Sequence, residues 1–313
     1  MQISLLKSCL YSVIILSLAS SCKKNENAAK LDGNINQHNI DANNYKAELD
    51  QTDNDINNVL RGNSGLNKVE EGYQFLSSPL CGCTIDSSQM AQKILYFNFD
   101  GTTSCFSPSS IRSGQIKVQL TSGNRWDDAG AVITETFTDY KITRQSDNKS
   151  IKFNGVKTLT NVNGNNWIAV YLGSSLKYRE RAFNINVSFD NNLQAVWNSA
   201  RTTEWTYTAA TGNITFTAKG DTSLNGFSNV DSWGTNRFGT AFTTYYNAPV
   251  TSNTYCGFWR FLSGELVHNV GSANYTLTLG LDVSGNPASG LCAYGYRVAW
   301  DVNGTSNSVL LSY

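Results

Sequence analysis

From Lys93 to the C-terminus, apolar and polar side chains alternate with a period of two, the spacing that sends successive side chains to opposite faces of a pleated strand. Residues 115–120 alternate strictly and place Ile116, Val118 and Leu120 on one face. In the next strand Val132, Thr134, Thr136 and Thr138 oppose Ile133, Glu135, Phe137 and Asp139. Residues 94–99 read as a strand stopped by Asp100-Gly101, and Ile151, Phe153 and Val156 flank Asn154-Gly155, the dipeptide that most favours a hairpin turn. Further strands are predicted at 167–172, 183–189, 193–197, 203–207, 214–218, 239–246, 258–262, 265–269, 275–281, 294–301 and 309–313, with Asn303-Gly304 as another turn. Short strands at turn spacing, with no helices between them, predict an all-β fold: an extended antiparallel meander or a sandwich over 93–313.

Before Lys93 the pattern changes. Tyr45, Leu49, Ile56 and Leu60 fall at spacings of four, seven and four, one stripe of a short helix, and Arg61-Gly62 is a fitting stop. Residues 23–44 are mostly Lys, Asn, Asp, Ala and Gln and read as a disordered tether, since they offer too little apolar surface to order themselves. As a flexible coil they would span roughly 25 Å. Residues 63–92 read as a connector, which completes a tether, helix and connector segment over 22–92. At the start, Lys7, an apolar run and the small residues Ala19-Ser20-Ser21 lead to Cys22. The apolar run is shorter than the roughly 20 residues of a spanning helix and suits a signal-peptide core of about 7–15 residues. Residues 1–21 are therefore expected to be a lipoprotein signal peptide and Cys22 the lipidated first residue. Two acyl chains would hold the protein stably where one holds it marginally. Lys23 and Lys24, with no Asp beside the cysteine, favour the outer membrane.

Loss of Lys7 leaves 23 basic against 24 acidic residues, a net charge near −1. Nucleic-acid binders usually carry a strong basic excess, so no nucleic acid is expected as a partner. The charged fraction of 15% is low against about 25% for typical domains, and Asn, Thr, Ser and Gly supply the polar surface. The expected partners are the membrane, through the lipid, and a glycan or surface protein. In an oxidising compartment the remaining cysteines are expected to pair: Cys256 with Cys292, and Cys105 with Cys83 or Cys81. A loop of about 35 residues closed by the first pair would contribute roughly 3–4 kcal/mol. Cys81-Gly82-Cys83 has the wrong spacing for a zinc half-site. Of the only two histidines, His268 reads as a strand-surface residue and His38 as part of the tether. No metal and no cofactor are expected.

A faint internal echo links residues 95–100, running on to Cys105, with residues 277–282, running on to Cys292: an apolar strand, an Asp, a polar turn and a cysteine. Several runs together carry a resemblance: Phe99-Asp100-Gly101 … Cys105 … Arg112-Ser113-Gly114-Gln115, Trp197-Asn198-Ser199-Ala200-Arg201 … Glu204-Trp205, Gly234-Thr235-Asn236-Arg237-Phe238-Gly239, and Cys256 … Ser263-Gly264 … Cys292. In combination they resemble uncharacterised outer-membrane lipoproteins of Bacteroidetes, over nearly the whole chain. Ala293 departs from the acidic residue that the resemblance leads one to expect after the last cysteine. The resemblance implies location and fold and brings no activity with it.

A glycosidase would need two carboxylates across a cleft. Asp100, Glu135, Asp139, Glu180, Glu204 and Asp231 are the available acids, and none sits in a motif that assigns a role. Glu135 and Asp139 read as solvated positions on one strand face. No Gly-x-Ser-x-Gly elbow, phosphate loop or His-Glu-x-x-His run occurs, and no catalytic residue is assigned. Trp126 and Trp233, both in turn-like surroundings, are the residues expected to be exposed for ligand binding. The sequence thus describes a lipid-anchored surface protein with a binding or structural role, and as the alternative a glycan-active enzyme or carbohydrate-binding module using strand-face carboxylates and exposed Trp. A Cys22→Ser protein is expected to leave the membrane fraction, while its β-sheet circular dichroism is unchanged; retention in that fraction would contradict the anchor.

Overall fold

The computed structural model describes residues 33–61, 66, 80–106, 109–302 and 304–313. Cys22 with the signal before it, the tether up to residue 32, most of the connector, and Asn303 of the Asn303-Gly304 turn lie outside the described residues. The chain is all-β with one long helix before the strands. It divides into two compact units, Glu48–Ala200 with Gly234–Gly239, and 33–47 with Arg201–Trp233 and Thr240–Tyr313.

The first unit takes residues 48–61 of helix α1 (Gly33–Arg61), strands β1 (Cys83–Asp86), β2 (Ile94–Phe106), β3 (Ser109–Ser122), β4 (Ala131–Arg144) and β5 (Ser150–Asn161), the short helix α2 (Trp167–Tyr171), β6 (Leu176–Phe189), and β7 (Gln194–Thr208) as far as Ala200. Its strands pair in sequence order, each antiparallel to the last from β1 to β6. Leu95, Phe97, Ile116, Val118, Ile133, Phe137 and Phe153 are buried on the inward face, each contributing about 1.5–3 kcal/mol by leaving water. Phe99, Phe137, Tyr140 and Phe153 pack ring to ring at 5.1–6.3 Å.

A row of irregularities crosses these strands and resets which residues face inward. In β4 the buried positions are 131, 133, 135 and 137, then 140 and 142, because the ladder to β5 slips between Phe137 and Tyr140. Asp139 takes a left-handed φ of 48° there. Gly114 of β3 passes so close that an added Cβ would lie 2.2 Å from the Asp139 carbonyl oxygen, so only glycine fits. Asn154-Gly155, expected as a hairpin turn, lies inside the continuous strand β5. Asn154 instead accepts a hydrogen bond from the Asp139 N–H at 2.8 Å, and a Cβ on Gly155 would meet Ile185 at 2.8 Å. This dipeptide serves a bulge.

The second unit holds residues 33–47 of α1, the rest of β7, β8 (Asn213–Gly220), β9 (Thr222–Leu224), β10 (Phe227–Thr235) as far as Trp233, β11 (Ala241–Asn253), β12 (Phe261–Val270), β13 (Ala273–Leu281), β14 (Gly295–Val302) and β15 (Thr305–Ser312). Strands β11 to β15 form an antiparallel meander, and β8 pairs with both β7 and β11. Tyr246, Val250, Phe261, Leu266 and Leu279 form a core cluster against which Leu277, Tyr296 and Tyr313 pack. Asp100 of the first unit and Asp282 of the second, matched in the sequence echo, do the same work. Each accepts turn N–H groups through its Oδ1, from Thr102 and Thr103 in one case and from Ser284 and Asn286 in the other.

Helix α1 starts at Gly33, within the stretch expected to be disordered tether. Its extra turns bury His38, Asn39 and Asp41 rather than aliphatic side chains, so an apolar stripe could not reveal them. Gln37–Asp41 and Gln51–Asp55 hydrogen bonds, both 2.9 Å, support it four residues apart. Residues 167–171, expected as strand, are helical because Asn166 caps them, its Oδ1 accepting from the N–H groups of Ile168 and Ala169.

Cys256 is joined to Cys292, with Cα atoms 5.5 Å apart. Cys105 is joined to Cys81, Cα atoms 5.7 Å apart, and Cys83 is a free thiol. The assignment of Cys83 to that bridge is thus corrected. Cys83 begins β1 and is held opposite Phe99 in the ladder, whereas Cys81 lies in the turn before it. Burial pushes the Cys83 thiol up to about 11. Alkylation without reduction is expected to modify Cys83 alone among Cys81, Cys83, Cys105, Cys256 and Cys292, and slowly at pH 8. Mass-spectrometric labelling of Cys81 or Cys105 would contradict the pairing.

Candidate functional site

The inward row of the first unit carries charge in the middle of an apolar sheet. Glu135 of β4 and Lys157 of β5 stand directly opposite each other, both with no exposed surface, and Lys157 Nζ lies 2.9 Å from Glu135 Oε2. From α1, Asp53 accepts a hydrogen bond from the same ammonium. Glu180 of β6 accepts from Ser199 Oγ at 2.7 Å, and Asp50, Asp53 and Glu180 each bring a carboxylate oxygen within 4.8 Å of the others.

Burial disfavours the charge on Lys157, but Asp53, Glu135 and Glu180 outweigh it and hold the ammonium protonated well above its ordinary range. Burial raises the carboxyls of Asp53 and Glu135 in spite of Lys157. Besides burial, the repulsion among these neighbouring carboxyls also raises them. The oxygens of Asp50, Asp53 and Glu180 are spaced as cation ligands can be, yet the Lys157 ammonium already occupies Asp53 as the resident cation. Nearby, Arg112 Nη1 donates to Asp55 at 2.5 Å, and its guanidinium lies 5.8 Å from the centre of the Phe99 ring. Thr52 and Tyr140 hydroxyls meet at 3.3 Å. The arrangement pins helix to strands; its charges face each other.

In the second unit the only two histidines of the chain meet. His38 of α1 and His268 of β12 place their Nε2 atoms 3.1 Å apart, and His268 Nδ1 lies 2.7 Å from Thr244 Oγ1. One Nε2 must carry a hydrogen and the other must accept it, which couples the two tautomers. The residues expected in a tether and on a strand surface are therefore both buried. Burial and the neighbouring His268 lower His38 to about 3, and burial lowers His268 to about 4.

The same unit exposes several large apolar side chains on two bridged loops. The Cys256–Cys292 bridge joins loop 254–260 to loop 282–294, and Cys256 Sγ lies 3.0 Å from the Leu291 carbonyl. On these loops Tyr255 is 59% exposed, Trp259 43%, Val283 71%, Leu291 73% and Tyr294 44%. Trp259 is braced: the Arg260 guanidinium carbon lies 4.7 Å from its ring centre, and a Cβ on Gly257 would strike its Nε1 at 2.5 Å. Arg260 and Asp282 are the only charged residues in the two loops.

The residues expected to bind ligand sit elsewhere. Trp126 is 3% exposed; its indole N–H donates to Asn57 Oδ1 at 2.9 Å and its ring stacks on Tyr178. Trp233 lies within β10 and is half-buried. Burial makes Trp126 a packing residue. Of the candidate acids, Glu135 and Glu180 come together around Lys157, and the expectation of a solvated Glu135 fails for that reason. Asp139, thrown outward by the bulge, pairs with Lys152 at 3.0 Å. Asp100 is exposed, its carboxyl lowered to about 2 by Thr102 and Thr103. Asp231 lies 3.8 Å from Lys46, and Glu204 stands opposite Thr217 in the β7–β8 ladder. The sequence reading missed Lys157, Asp53, Arg112 and the bridged loops. An isolated Lys on the inward parity of β5 was the one available signal for the cluster.

The histidine pair gives a pH dependence of known sign. Unfolded His38 takes up a proton near pH 6.5 and folded His38 only near 3, so its contribution is intact above 6.5 and falls away as pH drops from 6.5 toward 3. Relative to a His38→Phe variant, the wild type is expected to lose about 2 kcal/mol of stability between pH 7.5 and 5. The raised carboxyls of Asp53 and Glu135 are common to both proteins and cancel. Urea unfolding of the two at each pH checks this, and a pH-independent difference would contradict the buried neutral pair.

In comparisons with protein-family models, curated proteins and solved structures, nothing matches the chain.

Proposed function

We propose that the protein is an exported lipoprotein, held at the outer membrane by a lipid on Cys22, that binds a ligand of low charge on the disulfide-joined aromatic loops of its second unit. Two cystines support an oxidising compartment, in keeping with the resemblance to outer-membrane lipoproteins of Bacteroidetes. The observation that carries the binding role is a set of apolar side chains, Tyr255, Trp259, Val283, Leu291 and Tyr294, all exposed on two loops tied by one bridge. Exposed apolar side chains brought onto bridged loops are of the kind that marks interaction surfaces. Braced aromatics supply contact area at low entropic cost.

A neutral glycan is the ligand class that fits. Sugar rings present apolar CH faces to aromatic planes and hydroxyls to the loop polar groups, and the loops carry almost no charge to select an ionic ligand. Catalysis is not part of this reading, because Glu135 and Glu180 are engaged with Lys157 and Ser199 beneath the surface.

The test is a glycan array probed with the full chain carrying Cys22→Ser. Binding to uncharged oligosaccharides is expected, weakened about ten-fold by Trp259→Ala or Tyr294→Ala, a loss of ~1.4 kcal/mol, with no change for Trp233→Phe. Absence of binding to every glycan, or binding indifferent to both loop substitutions, would reject the glycan reading.

A further inference from the structure

Strand β15 ends the hydrogen-bonded order of strands, and among the described residues it pairs with β14 alone. Its eight residues pair with β14 without a register shift. A free strand edge offers unpaired N–H and C=O groups to any other strand, and proteins usually guard it with a charge, a proline, a bulge or shortness. Thr305 to Tyr313 contains no charged residue, no proline and no glycine. The strand at the other end of that order, β1, is four residues long and ends in Asp86. Among the described residues, one edge is guarded and the other is open.

The open edge is also self-complementary. Ser308-Val309-Leu310-Leu311-Ser312 has the same polarity pattern in both directions, centred on Leu310. Laid antiparallel against itself about that centre, Leu310 faces the second copy's Leu310, Val309 faces the second copy's Leu311, and Ser308 faces the second copy's Ser312. Apolar meets apolar and hydroxyl meets hydroxyl, with no charge opposed to charge, as a two-fold interface requires. Val309, Leu310 and Leu311 are only half-buried within the chain, while Ser308 and Ser312 are exposed. By the two-residue period, Val309 and Leu311 share a face with Tyr313, whose ring packs near Phe261 and Tyr296. Pairing would therefore continue that apolar face from one copy into the next.

We infer that β15 is a dimerisation edge, pairing antiparallel with β15 of a second copy about a two-fold axis at Leu310. This is independent of the ligand reading and of the lipid anchor. Leu310 stands opposite Arg297 in the ladder with β14, which makes a discriminating substitution available. Leu310→Glu gains a cross-strand partner within its own chain, yet places two carboxylates against each other across the axis.

Sedimentation equilibrium of the full chain carrying Cys22→Ser is expected to show a concentration-dependent doubling of mass. Leu310→Glu should weaken dimerisation by at least about ten-fold, since like charges directly opposite oppose pairing, with thermal unfolding of the monomer unchanged. Leu310→Lys should behave likewise, and an equimolar mixture of the Leu310→Glu and Leu310→Lys proteins should dimerise again. A parent protein that stays monomeric overturns the inference, as does a folded Leu310→Glu protein that dimerises like the parent. If the Leu310→Lys substitution, opposite Arg297, prevents folding, Leu310→Glu with its circular dichroism decides the matter alone.

Discussion

The buried ammonium of Lys157 is the interaction on which the first unit depends. A charge taken from water costs several kcal/mol even after relaxation, and Lys157 has no exposed surface. It is tolerable there only because Glu135 across the ladder and Asp53 on the helix receive it. The helix gains from this in turn. Its apolar stripe is thin, and much of its buried face is Asp50, Thr52 and their neighbours, which no hydrophobic attraction would hold in register. A directional ionic contact, with Arg112–Asp55 and Thr52–Tyr140 beside it, sets where the helix lies along the strands. An apolar residue of the same volume at 157 would fill the space and leave the position of the helix unspecified.

The second unit solves the corresponding problem without charge. His38 and His268 are kept neutral by burial, and their hydrogen bond, oriented by Thr244, fixes the helix segment 33–47 through a pair of tautomers. Both units dock stretches of one polar helix through buried polar groups, by an ionic cluster in one and a neutral imidazole pair in the other. Their responses to acid have opposite signs: the raised carboxyls of Asp53 and Glu135 favour the folded state as protons are added, and the lowered histidines disfavour it.

How much of this the sequence disclosed follows from what each pattern encodes. Alternation in 115–120 reported a strand and its inward face correctly, and in 131–137 it reported the strand, because a period of two is a local property of the chain. The bulge at Asp139 is not local. It depends on Gly114 in one neighbouring strand and Asn154 in the other, so Glu135 and Asp139 seemed to share a face that they do not. Asn154-Gly155 has turn chemistry, and the same left-handed tolerance serves a bulge equally well; only its pairing partners decide between the two. The early helical turns were hidden because they bury His38, Asn39 and Asp41. The buried cluster was hidden because a hydropathy pattern scores Lys157 and Glu135 as solvent-facing. Trp126 looked exposed beside Arg125 and Asp127, but a large ring follows whatever partner can cover it, here Tyr178 and Asn57.

The same reasoning supports the proposed binding role. A site that must meet a ligand has to leave side chains unsatisfied by the protein itself. Glu135 and Glu180 around Lys157 fail that test, since they are buried and face Lys157 and Ser199 of the protein itself. The loops joined by Cys256 and Cys292 pass it: Tyr255, Val283, Leu291 and Tyr294 remain in water although each could gain by leaving it. Such loops would fold their apolar side chains inward if they were long and free. The bridge, the Gly257 turn at φ +80° that makes room for Trp259, and the Asp282 turn hold them open instead. Fixing apolar groups in contact with solvent lowers the stability of the free protein, and a partner that covers them recovers that loss. The constraint that keeps these side chains exposed is the physical basis of the binding proposed for them.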